Sequence, residues 1–220
     1  MVAADRSLVE RWLNLAEEAA AGVPDPELPF LSVGDLGILR SFTYRDNRLY
    51  VKVSPTYTGC PAVSVIETMV HDAIVERLSV DAQVSVTENR STSVPPEVVV
   101  ERSLSPAWTT GDLSEEAHRK LRENGIAPPV VASSSDHAGD SQVVQFKRGT
   151  GTESTPSGER TGYASATKDR IGLFAKTTVC CPHCQSNDTA EISRFGSTPC
   201  KAQYRCNECL EPFDYFKCLI

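Results

Sequence analysis

A chain of 220 residues, 40% of them hydrophobic and with a formal net charge of −7, has room for one or two small domains. The acidic balance and the lack of any long Lys/Arg run argue against a nucleic-acid partner and against an anionic membrane surface. No apolar stretch approaches the ~20 residues of a membrane span, and MVAADRSLVERW lacks the basic-then-apolar order of a secretory signal. The expected localisation is cytoplasmic, where clustered cysteines bind metal more often than they form disulfides.

Residues 7–21, SLVERWLNLAEEAAA, place Leu8, Trp12, Leu15, Ala16 and Ala19 on one broad face, which predicts an amphipathic helix. Ser7 and Glu10 have capping-box spacing, and Gly22 followed by Pro24 and Pro26 ends the helix. The next stretch, VPDPELPFLSVGDLGIL, reads as a turn-rich loop carrying Asp25, Glu27 and Asp35. Residues 37–44 and 48–54 form two strand-like runs joined at Asp46-Asn47, a predicted hairpin. Residues 61–78 have helical periodicity through Val65, Ile66, Met69, Val70, Ala73, Ile74 and Leu78, with Pro61 suited to the first turn. QVSVTE (83–88) and EVVVERS (97–103) are two further candidate strands, either of which can complete the sheet. Residues 112–124 predict a short charged helix ended by Gly125 and Pro128. The expected fold is α+β, a small mixed sheet packed by helices. From 130 to 175 the composition turns to Ser, Thr, Gly and charge, which predicts a flexible linker between a first domain (1–129) and a terminal module (176–220).

The terminal module carries CPHC (181–184) and CNEC (206–209), separated by 21 residues. Two such turns present four thiolates to one tetrahedral ion, and this spacing points to a zinc ribbon with Cys181, Cys184, Cys206 and Cys209 as ligands of a structural Zn²⁺. A rubredoxin-like iron at the same four sulfurs is a weaker alternative. Cys180 reads as a bystander and His183 as a turn residue. For Cys200 and Cys218 two readings stand: small buried side chains of the ribbon core, or additional soft ligands for iron or a transient cluster. From Thr177 onward, four basic residues face five acidic ones, which favours a protein-docking or folding role over nucleic-acid binding.

Cys60 stands apart from the other seven cysteines, in YTGCP at an expected helix start. A helix N-terminus there would stabilise a thiolate; the alternative is a buried, inert helix-start residue. For Asp25, Glu27 and Asp35, turn chemistry and capping compete with a site role. There is no Gly-rich phosphate loop and no trusted Ser/His/Asp spacing, and the four histidines (71, 118, 137 and 183) are scattered, so catalysis by the chain on its own is not expected.

VPDPELPFLSVGDLGILR followed by YTGCP resembles the small α/β domain of the SufT-like family of iron–sulfur assembly factors. SPAWTTGDLSEEAHRKLRENGIAPP together with CPHC, ISRFGSTPCKAQYRC and EPFDYFKC resembles its PaaD-type branch, associated with the phenylacetyl-CoA ring epoxidase, a multicomponent oxygenase. The resemblance covers most of residues 8–129 and 180–218. It implies an accessory protein of aerobic phenylacetate degradation that assists maturation of the oxygenase's iron–sulfur or metal centres. It also implies transfer of iron or a cluster at Cys60, with Asp25, Glu27 and Asp35 as the matching acidic positions. The implied partners are the oxygenase and reductase subunits and the iron–sulfur assembly machinery. The alternative is a structural or docking subunit with no transfer role. This chain departs from the family pattern in offering two strand candidates after the second helix and in its longer linker.

Overall fold

In the computed structural model of the chain, residues 6–57, 59–87, 94–129 and 179–217 are described, with the side chains of 85–87 excepted. The expected linker at 130–175 lies outside the described residues, as do His137 and Cys218. All described residues fall in one compact unit.

The first helix, α1 (Arg6–Ala21), buries Trp12, Ala16 and Ala20 on one face, as its periodicity requires. Its Trp12 ring lies 5.7 Å from that of Tyr44 on strand β1 (Leu39–Arg45). Strand β2 (Arg48–Val53) follows after a two-residue turn in which Asp46 and Asn47 both have positive φ, 50° and 58°. Asp and Asn tolerate that region, and such turns match the twist of paired strands. Leu49, Val51 and Val53 of β2 are buried, the alternation read from the sequence.

Helix α2 (Val63–Thr87) runs for 25 residues and buries Ile66, Val70, Ile74 and Leu78, one every fourth position. The expected strand at 83–88 is therefore not formed: residues 83–87 continue this helix. No Gly or Pro interrupts 62–94, and Asp81 of α2 is held by an ion pair to Arg11 of α1. Val84 of that candidate strand is exposed on the helix. The sheet is completed instead by β3 (Glu97–Arg102), parallel to β2 in the order β1-β2-β3. A parallel neighbour needs a crossover, and α2 supplies it.

The predicted charged helix starts later than expected. A 3₁₀ turn at Thr110–Asp112 precedes α3 (Glu115–Glu123), whose Ser114 cap accepts the Ala117 N–H at 2.9 Å. Glu115 and Glu116 open the helix while Lys120 and Arg122 close it, complementing its dipole. Gly125, φ +71°, ends it.

A second sheet contains β4 (Ile126–Ala127), β5 (Thr189–Ser193), β6 (Lys201–Cys206) and β7 (Pro212–Phe216), in the order β4-β7-β6-β5. Strand β4, from the end of the first segment, pairs in parallel with β7 of the cysteine-rich segment. Phe216 of β7 is buried in the core that α1, the first sheet and α2 enclose, and Trp108 meets it edge-on at 6.3 Å. The terminal module is thus docked by both backbone pairing and a shared aromatic contact.

Candidate metal-handling site

Two groups of thiols emerge, and they differ in construction. The first joins the two knuckles. The Cys181 and Cys209 sulfurs are 3.8 Å apart, those of Cys184 and Cys206 3.5 Å apart, and all four Sγ atoms lie within 4.8 Å of one another. Sulfurs at about 2.3 Å from a tetrahedral ion would stand about 3.8 Å apart. The knuckles repeat one backbone design. The Cys181 N–H donates to Ser186 O at 2.9 Å and the Cys206 N–H to Glu211 O at 3.0 Å. The residue after each second cysteine, Gln185 and Leu210, is left-handed, with φ 63° and 64°. The backbone N–H of Cys209, with that of Glu208 and against the effect of burial, holds the Cys206 thiol down at about 7. Donor set, spacing and turned-in amides all fit a bound metal ion, which Cys181, Cys184, Cys206 and Cys209 would hold. It would cross-link the two turns and so supply fold rather than reactivity.

The second group surrounds Cys60. Asp25 Oδ1 accepts the N–H groups of Glu27 and Leu28, both at 2.8 Å, so the D-P-E loop is folded around its own aspartate. The loop is closed by the Val33 N–H donating to Val23 O at 2.7 Å. That leaves the Glu27 carboxylate facing a cavity of about 20 Å³ lined by Asp25, Glu27, Pro55, Thr56, Cys60 and Cys200 over an apolar floor that includes Ile66 and Phe216. A void of that size holds about one water-sized occupant. Cys200 comes from the loop before β6. Its thiol donates toward Glu27 Oε2 at 3.8 Å and lies 3.0 Å from the Thr198 hydroxyl.

Cys60 itself lies three residues ahead of the first residue of α2. The expected helix-start thiolate is not what its surroundings favour. Burial pushes the thiol above its ordinary value of 9.0, the Glu27 and Asp25 carboxylates add to this, and the Ala62 and Val63 amides only partly oppose it. Cys200 is pushed up to about 11, mainly by burial, with Glu27, Asp25 and Cys60 contributing and Thr198 opposing. Among the described residues no cationic side chain lines the cavity; the nearby Arg102 is committed to Glu67 at 2.9 Å. The group is also open: among the described residues, only the four knuckle cysteines form a set of three or more His, Cys, Asp or Glu whose ligand atoms all lie within 4.8 Å.

Asp35 is not among the cavity residues. Its Oδ2 accepts the Ser32 N–H at 2.9 Å and pairs with Lys120 of α3 at 2.7 Å. Burial alone would raise its carboxyl, but Lys120 and Ser32 outweigh that and hold it below 3.8. The rest of the D-L-G turn is equally structural. Leu36 O accepts the Trp108 indole N–H at 2.7 Å. Gly37 has φ +63°, and a Cβ there would fall 1.9 Å from Asp112 O. The D-L-G turn therefore fixes the floor of the cavity through Leu36 and Ile38, while Asp35 ties that turn to α3. The juxtaposition of Cys200 with Cys60 has no local signature in the sequence; it requires the docking of β7.

Residues 16–86 match the family described as iron–sulfur cluster assembly protein, and residues 166–217 match the PaaD zinc beta ribbon domain. The chain is 36% identical over 210 residues to a protein of Escherichia coli (strain K12) named as a putative subunit of 1,2-phenylacetyl-CoA epoxidase, covering 96% of this chain and 92% of that protein. A solved DUF59 domain of unknown function from Bacillus anthracis, 23% identical, covers 53% of this chain and 97% of its own, with a TM-score of 0.40. The molecule is thus an iron–sulfur assembly domain joined to a zinc ribbon. The chain belongs to the PaaD family, that of the putative 1,2-phenylacetyl-CoA epoxidase component it matches. No helix among the described residues is long and apolar enough to cross a membrane.

Proposed function

We propose that this protein is an accessory component of a phenylacetyl-CoA epoxidase that assists maturation of the enzyme's iron or iron–sulfur centres, and that it does not oxidise substrate itself. Its cargo, iron or a cluster, is handled at Cys60, with Asp25 and Glu27 beside it. Zn²⁺ at the four knuckle cysteines is the structural metal. The client is an oxygenase or reductase subunit, and the cargo comes from the iron–sulfur assembly machinery. The observation that carries this reading is the cavity lined by two half-buried thiols and the Asp25 and Glu27 carboxylates, with no cationic side chain lining it among the described residues. Such a cavity favours a positively charged occupant, and its open ligand set suits release. Asp35 serves the reading indirectly, by holding the D-L-G turn against α3.

The test is co-expression of the epoxidase subunits with wild-type protein or with Cys60→Ser. The expected result is client enzyme with depleted iron and proportionally reduced activity beside a folded, zinc-loaded variant. Full iron content in the client beside Cys60→Ser would refute the reading.

A further inference from the structure

Cys200 belongs by sequence to the ribbon, yet its side chain packs against the core of the assembly domain and lines the Cys60 cavity. We infer that Cys200 is a second thiol ligand, so that the docked ribbon completes a two-sulfur, carboxylate-assisted site for a thiophilic divalent cation of the Fe²⁺ class. This rests on the proposed cargo role of Cys60 and deepens it.

Three observations converge. The cavity presents two thiols and two carboxylates from three separate segments: the D-P-E loop, the T-G-C-P turn and the loop before β6. Cys200 Sγ and Glu27 Oε2 are 3.8 Å apart. A sulfur at about 2.3 Å and an oxygen at about 2.1 Å from one tetrahedral ion would stand roughly 3.6 Å apart, so this pair already spans one edge. Finally, Asp25 lines the same cavity at 8% exposure, with its Oδ1 accepting two backbone N–H groups. A carboxylate on so buried a residue, lining a cavity with two thiols and a second carboxylate, gains from a cation, because desolvating charge is costly. The mixture of sulfur and oxygen donors suits Fe²⁺, Co²⁺ or Zn²⁺ rather than Mg²⁺ or Ca²⁺. On this account the ribbon does more than dock: it carries one jaw of the cargo site, with Phe216 of β7 anchoring it.

The experiment is anaerobic titration with Co²⁺ of full-length protein whose knuckle cysteines are already filled with zinc. The readout is sulfur-to-cobalt charge-transfer absorbance, which scales with the number of cobalt–sulfur bonds. Wild-type protein is expected to take up one further ion with a two-sulfur band. Cys200→Ser and Cys60→Ser should each halve the band per bound ion and weaken uptake by tenfold or more. In parallel, Co²⁺ added to wild-type protein should protect Cys60 and Cys200 together from alkylation, which keeps the test decisive if a variant fails to fold. Unchanged uptake and band in Cys200→Ser, or protection of Cys60 alone, overturns the role of Cys200 while leaving Cys60 as a site. No further ion bound by wild-type protein overturns the cavity as a metal site, and with it the proposed transfer role.

Discussion

The sulfurs of Cys181, Cys184, Cys206 and Cys209 converge from two turns of one small sheet, each turn repeating the same backbone bonds. Cys60 and Cys200 come instead from segments far apart in the chain and meet only because β7 lodges against the first domain. The first set is closed, with ligand atoms already at metal-binding separations. The second is open, acidic and partly made of atoms that also hold the fold. A closed set makes metal binding part of folding; an open one lets an ion come and go without unfolding its host. On the proposed reading one side-chain type serves two ends, and what separates them is how many backbone constraints hold the sulfurs.

Removing a knuckle ligand should have the largest effect. Cys206→Ser leaves three sulfurs and is expected to lose the bound metal and unfold β5–β7; structural zinc sites carry on the order of 10 kcal/mol of metal-linked folding energy. Metal content and the melting transition report both losses. Next, Gly37→Ala combines a left-handed backbone with a collision against Asp112 O and should cost about 3 kcal/mol, measured by chemical denaturation. It should weaken the Cys60 cavity while leaving the knuckle metal bound, since Leu36 and Ile38 line only the former. Asp35→Asn should cost about 1 kcal/mol near neutral pH by losing the Lys120 ion pair. Because the folded-state carboxyl titrates below its ordinary value, its stabilisation is present above pH 3.8 and fades as pH falls through the folded value. Wild type and variant should therefore converge in melts run at progressively lower pH. The smallest effect is expected at Leu210→Gly, which relieves a left-handed leucine and should be neutral or stabilising by up to about 1 kcal/mol.

Much of this was legible in the sequence because it is local. Apolar periodicity gives α1 and most of α2, Asp46-Asn47 gives the hairpin, and CPHC with CNEC gives the knuckles. What was not legible depends on contacts between distant segments. Residues 83–87 have strand-like alternation, but the helix has no stop signal before them and Asp81 finds Arg11 on α1. The pairing of β4 with β7 rests on two residues, Ile126 and Ala127, too few to register as a pattern. Asp35 matches a site motif in sequence, yet its partner Lys120 lies 85 residues away. Cys200 could be read as ribbon core or as an extra ligand until the docking of β7 placed it opposite Glu27.

The central claim, one tightly held structural metal and one separate, loosely held cargo site, is tested most directly by metal analysis of anaerobically purified protein, wild type beside Cys60→Ser. The account predicts about one zinc per chain in both, with additional iron in wild type alone. Equal iron in the two proteins, or iron at the knuckles in place of zinc, would contradict it.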